Sequence, residues 1–101
     1  MFDNHELTRL LEAVSDPVRM QIVFLLSEHA RLNVGDIARP FRISRPAISH
    51  HLKVLKEAGI VQSEKSGQEI YYSIDSQRLV TALRALADKL EQSVSSELKS
   101  T

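Results

Sequence analysis

The segment from Ser44 to Gly59 contains both the start and the stop of one helix, which limits what can follow it. Ser44 is a good N-cap, Pro46 falls in the first turn where its missing N–H costs nothing, and Gly59 is placed to end the helix in a left-handed conformation. Between them, Ile48, Leu52 and Leu55 form a buried stripe at helical spacing. Beyond the stop, Ile60 to Lys65 and Gln68 to Ile74 flank the dipeptide Ser66-Gly67. Ile70, Tyr72 and Ile74 alternate as a half-buried strand does, so a hairpin with a tight turn is expected. A capped helix leading straight into a hairpin leaves few small folds available.

The rest of the chain supplies helices. From His5 to Val14, the residues Leu7, Leu10, Leu11 and Val14 lie on one helical face. Asp16-Pro17 reads as an N-cap followed by proline at the first helical position, opening a second helix that frays near Glu28 and His29. Its inward residues are Val18, Ile22, Leu25 and Leu26. Val34, Ile37, Ala38 and Phe41 mark a short third helix that Pro40 helps to end. From about Ser76 to the end, Leu79, Leu83, Leu86, Leu90 and Val94 repeat on one long amphipathic helix. The expected order is ααααββα: mainly α with a β-hairpin wing, a winged helix-turn-helix. With 101 residues there is room for a single domain, residues 1–101. Within it, the helix-turn-helix covers about 33–58, the wing about 60–74 and the last helix about 76–97.

Net charge is zero, yet its distribution is uneven. From Ala38 to Lys56 there are five bases (Arg39, Arg42, Arg45, Lys53, Lys56) and no acid, while residues 1–37 carry three bases against six acids. Local field steers a polyanion more than total charge does. Opposite the apolar stripe, the fourth helix exposes Arg45, Ala47, Ser49, His50 and Lys53, short polar groups among cations suited to base edges in a major groove. The hairpin tip, Lys65-Ser66-Gly67-Gln68, forms a wing for an adjacent phosphate or minor groove. A solvated basic face is the blander reading; the helix pair, the capped basic helix and the hairpin at the correct offset favour DNA. His51 falls at the inner edge as a packing residue, His50 faces bases or phosphate, and Tyr71 and Tyr72 are read as strand packing.

Other classes are excluded by what the chain lacks. It has no cysteine, hence no disulfide, thiolate metal site or thiol redox sensor. Its longest apolar run, Ile22 to Leu26, is too short to cross a bilayer, and no secretory signal is visible, so a cytoplasmic protein is expected. Gly35, Gly59 and Gly67 are dispersed and make no phosphate-cradling loop. Ser49 and His50 are adjacent and diverge on a helix, which gives no nucleophile–base pair, so no enzyme is expected.

The run Val14-Ser15-Asp16-Pro17-Val18-Arg19, then Ile37-Ala38, then Ser44-Arg45-Pro46-Ala47-Ile48-Ser49-His50-His51-Leu52-Lys53-Val54-Leu55, resembles the arsenic-repressor (ArsR/SmtB) winged-helix regulators. So do Ala58-Gly59-Ile60-Val61 and Tyr71-Tyr72-Ser73-Ile74. The resemblance covers about residues 7–90. It implies a bacterial homodimeric repressor whose first and last helices build the dimer, and whose paired fourth helices read an inverted repeat in double-stranded DNA. Leu7, Leu10, Leu11, Val14, Leu79, Leu83, Leu86, Leu90 and Val94 are then the expected dimer residues. The expected DNA contacts are Arg42, Ser44, Arg45, Pro46, Ala47, Ser49, His50, Lys53 and Lys56, with Lys65 and Gln68 from the wing.

The metal sites of this family do not carry over. Where many members hold a cysteine pair in a Leu-Cys-Val-Cys-Asp run, this chain has Leu32-Asn33-Val34-Gly35-Asp36. Where others place Asp and His ligands on the last helix, Ser76, Arg78, Lys89 and Gln92 stand here. No metal or other cofactor is expected, and the chain is most similar to members that repress constitutively or regulate their own operon. The alternative is a winged-helix protein-interaction module, or a regulator controlled by a partner protein or small molecule. The acid-free 38–56 stretch argues against a pure interaction module.

Overall fold

An α-helix leaves its first amides without partners, and in this protein a short polar side chain meets them at each start. The computed structural model describes residues 3–99. Helix α1 spans Asn4–Val14, with the Asp3 carboxylate accepting from the Glu6 amide at 2.7 Å. Helix α2, Pro17–Ser27, begins on Asp16, with proline at its first position. Asn33 caps the five-residue α3, Val34–Ala38, by accepting from Asp36 N at 2.8 Å. Ser44 Oγ accepts from Ala47 N at 3.3 Å to start α4, Arg45–Glu57. Asp75 accepts from Arg78 N at 3.2 Å and opens α5, Ser76–Lys99.

Stops are equally local. Gly59 follows α4 at φ +78°, a conformation that L side chains rarely adopt, and lets the chain reverse into the hairpin. Helix α3 is shorter than its sequence pattern suggests: it ends at Ala38, before Pro40, and Phe41 lies outside it in the turn. The missing N–H of Pro40 removes the donor that would extend the helix. Phe41 remains half-buried, its amide donating to the Ala38 carbonyl at 3.0 Å.

The wing pairs β2, Val61–Ser66, with β3, Glu69–Ile74, antiparallel from Val61↔Ile74 to Ser66↔Glu69. The two-residue turn is therefore Gly67-Gln68, one step later than the expected Ser66-Gly67. Gly67 has φ +64° and no described non-glycine residue has positive φ, the pattern of a type II′ turn with glycine first. A third strand was not legible in the sequence. Leu32–Asn33 forms β1 and pairs antiparallel with β3, Leu32↔Tyr72 and Asn33↔Tyr71, giving the order β1-β3-β2. Two residues carry no period; only β3 as a template makes them a strand. At the far end of β3, Ile70 passes beyond the core and is 47% exposed, not half-buried as its alternation suggested.

One core joins every helix to the sheet: Leu10, Ala13, Val14, Ile22, Val23, Leu26, Ile37, Ile48, Leu52, Leu55, Ile60, Val61 and Ala82. Leu10 and Val14 are 1% and 8% exposed within the protomer, so a partner subunit has almost no surface left to cover there. Both serve the chain's own core, which leaves little of either for the dimer seam expected from the resemblance. Helix α5 behaves differently. Among the described residues only its Ala82 is fully buried, while Leu83, Leu90 and Val94 are 44%, 59% and 55% exposed. Leu7, Leu11, Leu79 and Leu86 are half-buried. The helix projects from the body, which explains the 61 × 26 × 23 Å extents and a radius of gyration of 16.5 Å. A compact chain of this length has about 13 Å. No helix among the described residues is long and apolar enough to cross a membrane.

Asp16 is the most heavily used cap. Its Oδ2 accepts from Val18 N at 2.9 Å and Arg19 N at 3.0 Å. The Arg19 amide, helped by the charge of Arg19, the Val18 amide and His51, holds this carboxyl below the usual carboxylate range against an opposing desolvation. A lowered folded pKa contributes stability at pH values above the unfolded pKa of about 3.9, and that stability is lost as pH falls through the folded value. Asp16→Ala is expected to destabilise the protein by about 1 kcal/mol at pH 7. Asp16→Asn, which keeps a cap oxygen, is expected to flatten the stability loss below about pH 4. Denaturant unfolding at pH 7 and pH 3 checks both, and an unchanged acid limb in Asp16→Asn would remove the assignment.

Candidate nucleic-acid interface

Helix α4 is oriented by its buried side. Ile48, Leu52 and Leu55 are 0–1% exposed, so the residues on the other side of the cylinder turn to solvent. Arg42, Ser44, Arg45, Pro46, Ser49, His50, Lys53 and Lys56 are all exposed, and Ala47 is half-buried. The structure thus brings the expected contact residues of α4 to one free face that begins at the Ser44 cap. Lys65 and Gln68 are exposed at the wing tip. Lys65 pairs with Ile70 across the hairpin, and the two side chains share one face of the strand pair.

The acid-free stretch of sequence is not acid-free in space. Asp36 Oδ1 lies 3.4 Å from Arg39, and Glu57 Oε1 lies 4.0 Å from Lys53. Both carboxylates sit just outside the 38–56 window, one helical turn from their partners. These pairs are exposed, at 80% and 38% for the first and 73% and 60% for the second. Such pairs contribute about 0–1 kcal/mol, so a phosphate can displace the carboxylate at little cost. The guanidinium of Arg45 packs back against the α-carbon of Gly35, where a Cβ would collide with it. Glycine at 35 therefore lets the first residue of α4 rest against α3.

The two histidines separate as their positions on the helix require. His50 is exposed, while the side chain of His51 is 18% exposed and faces inward. His51 Nδ1 lies 3.2 Å from Arg19 Nη1 and 4.0 Å from Asp16 Oδ2. Arg19 Nε in turn donates to the Ala13 carbonyl at 2.6 Å. From the sequence, Arg19 enters only as the last residue of the run that resembles the family. A basic residue three after an N-cap signals nothing until α4 lies beside it.

At the wing, the Arg31 guanidinium lies 4.2 Å from the centroid of the Tyr71 ring. Tyr71 and Tyr72 are both half-buried in β3. The Arg31–Tyr71 pair depends on β1 meeting β3, and no local spacing could have revealed it. Among the described residues, no group of three or more His, Asp or Glu side chains is placed to hold a metal ion. Ser76, Lys89 and Gln92 of α5 are exposed, and Arg78 is half-buried beside Gly59.

Comparison with known proteins agrees with this geometry. The profile of bacterial regulatory proteins of the arsR family matches residues 16–63, from the α2 cap into β2. The transcriptional repressor SdpR of Bacillus subtilis is 44% identical over 69 residues, 68% of this chain and 76% of that protein. An ArsR-like transcriptional regulator from a Rhodococcus species superposes with a TM-score of 0.82 at 30% identity, over 95% of this chain and 89% of the other. A homodimeric winged helix-turn-helix DNA-binding domain from Mycobacterium bovis matches with a TM-score of 0.68 at 27% identity, over 87% and 83% of the two chains. With the family profile lying across the whole helix-turn-helix, and a repressor sharing 44% of residues over most of its own length, the chain belongs to the arsR family of bacterial regulatory proteins.

Proposed function

We propose that this chain is a transcriptional repressor that works in the cytoplasm as a homodimer on an inverted repeat in double-stranded DNA. The observation that carries this reading is the free, cation-rich face at the start of α4, opposite a stripe that is fully buried. The kinship with SdpR, a repressor, and with a homodimeric DNA-binding domain supports it. Arg45, Ser49 and His50 lie in the half of the helix that enters a major groove, and read base edges. Lys53, Lys56 and Lys65 contact phosphate, while Arg42, Ser44, Pro46, Ala47 and Gln68 line the approach.

The second subunit is expected along α5, where Leu83, Leu90 and Val94 stand exposed on a helix that leaves the body. Leu7, Leu11, Leu79 and Leu86 border that surface as half-buried neighbours. Two-fold symmetry would then set the α4 helices about 34 Å apart, one DNA turn. Metal and thiol sensing have no support in the chemistry of this chain. It has no cysteine, and Ser76, Arg78, Lys89 and Gln92 stand where the family resemblance would place ligands on the last helix.

Selection from random DNA at stated salt is expected to enrich a palindrome, and failure to enrich any sequence would overturn the reading. Arg45→Ala is expected to cost about 1–3 kcal/mol on the selected site and relax one position per half-site. Lys65→Ala is expected instead to weaken all sequences alike and lower the salt slope by about one unit. Loss of specific and random binding in equal measure in Arg45→Ala would remove its base-reading role. Sedimentation at micromolar concentration is expected to show a dimer, and Leu90→Asp is expected to give a folded monomer. Low-micromolar zinc is expected to leave operator affinity unchanged; a shift above about tenfold would show a site built from the nitrogen and oxygen ligands that remain.

A further inference from the structure

Arg19 ties three helices together on the inner side of α4. Its Nε donates to the Ala13 carbonyl in the last turn of α1 at 2.6 Å, its amide donates to the Asp16 cap of α2 at 3.0 Å, and its Nη1 lies 3.2 Å from His51 Nδ1 on α4. A guanidinium has donors and no acceptor, so this contact is a hydrogen bond only when His51 Nδ1 accepts. His51 is then neutral, with its proton on Nε2. The same Nδ1 lies 4.0 Å from Asp16 Oδ2, a group that can only accept while ionised. One ring atom therefore has a donor at hydrogen-bond distance, which needs it unprotonated, and a carboxylate at 4.0 Å, whose charge favours it protonated.

We infer that Arg19 and His51 are positioning residues that hold α4 in its DNA-binding orientation, and that a proton on His51 releases α4 from Arg19. This rests on the DNA-binding reading above. Histidine is the side chain whose charge ordinarily changes between about pH 5 and 8. On protonation the Nδ1 lone pair is lost, a cation faces the Arg19 cation, and the ring is left to Asp16. His51 directly precedes Leu52, an anchor of α4 in the core, so its partner bears on how the helix sits.

The surrounding charges are few. Among the described residues Asp16 is the one carboxylate with an oxygen within 4.0 Å of a nitrogen of the ring. Arg9 and Glu12 of α1 and Glu57 of α4 line the shallow cavity beside Arg19, and the ring of His50 is centred 6.0 Å from that of His51. His50 faces outward, so its protonation adds a charge toward phosphate and strengthens binding to any sequence alike. Release of α4 has the opposite mark: it lowers preference for the operator over random DNA. The two effects separate in the ratio of the two affinities.

The test measures that ratio by fluorescence anisotropy at fixed ionic strength between pH 7.5 and 5.5, with thermal unfolding confirming that each variant is folded. The wild-type ratio is expected to fall about tenfold on acidification, the worth of one charge-assisted hydrogen bond. His51→Asn offers an amide oxygen near the Nδ1 position and cannot titrate, so it is expected to restore most of what His51→Leu loses and to give a flat profile. Arg19→Lys cannot span Ala13 and His51 together and is expected to keep a low ratio at both pH values. A wild-type pH profile in His51→Asn, or a wild-type ratio in His51→Leu, would overturn the inference. A DNA-free measurement stands beside it: the nitrogen-15 imidazole spectrum is expected to show His51 as the Nε2-protonated tautomer at pH 7.5, and an Nδ1-protonated ring would equally overturn it. If the wild type prefers no sequence at all, the repressor reading fails, and the tautomer still decides whether Arg19 and His51 are joined.

Discussion

Ile48, Leu52 and Leu55 hold α4 by burial, and the direction of every exposed side chain on that helix follows from this contact. Each such side chain contributes about 1.5–3 kcal/mol when removed from water. Losing all three would cost an amount comparable with the whole net stability of a small domain, roughly 5–15 kcal/mol. They meet residues from α1, α2, α3 and β2 in a single core, so the helix has one stable rotation about its axis. At about 100° per residue, a change of one position in that stripe would carry Arg45, Ser49 and His50 away from the free face. In the proposed function, the chemistry of recognition therefore depends on apolar atoms that no DNA would touch.

The polar contacts refine what burial sets. Ser44 and Gly59 determine where α4 begins and ends, and the Gly35 site lets Arg45 fold back against α3. On the inner side, Arg19 and Asp16 meet His51 where the helix passes the α1–α2 junction. Partly buried polar contacts of this kind restrict a helix to one orientation more than they stabilise it, because each needs a particular geometry to be satisfied. The exposed pairs Arg39–Asp36 and Lys53–Glu57 have the opposite character: loose, screened and replaceable by a phosphate.

Helix α5 presents a different physical problem. A chain of 101 residues can bury only a modest core, yet it builds a 24-residue helix of about 36 Å whose distal half has little to pack on. An unsupported helical segment of about twelve residues, the length of that distal half, is marginal in water, and exposed Leu90 and Val94 would make it prone to unwanted association. A second subunit laid along the same stripe removes both difficulties at once. In this respect the helix differs from α1, whose Leu10 and Val14 already serve the protomer.

Much of the fold could be read from residues near one another in the chain. Asp16-Pro17, Ser44 with Pro46, Gly59 and the alternation of Tyr72 and Ile74 act within a turn or a strand, and each marked its element to within a residue or two. Periodicity likewise identified the apolar faces of α1, α4 and α5. What periodicity could not supply was the identity of whatever covers a face: the same leucine spacing puts Leu10 inside the protomer and leaves Leu90 outside it. Strand β1 exists only because β3 is there to pair with it, and Arg31 meets Tyr71 only through that pairing. The contact between Arg19 and His51 spans thirty-two positions and leaves no local trace. Local signals determine which elements form because caps, turns and side-chain faces act over a few residues. Tertiary structure decided the partners, because those contacts exist only once the core has brought distant segments together.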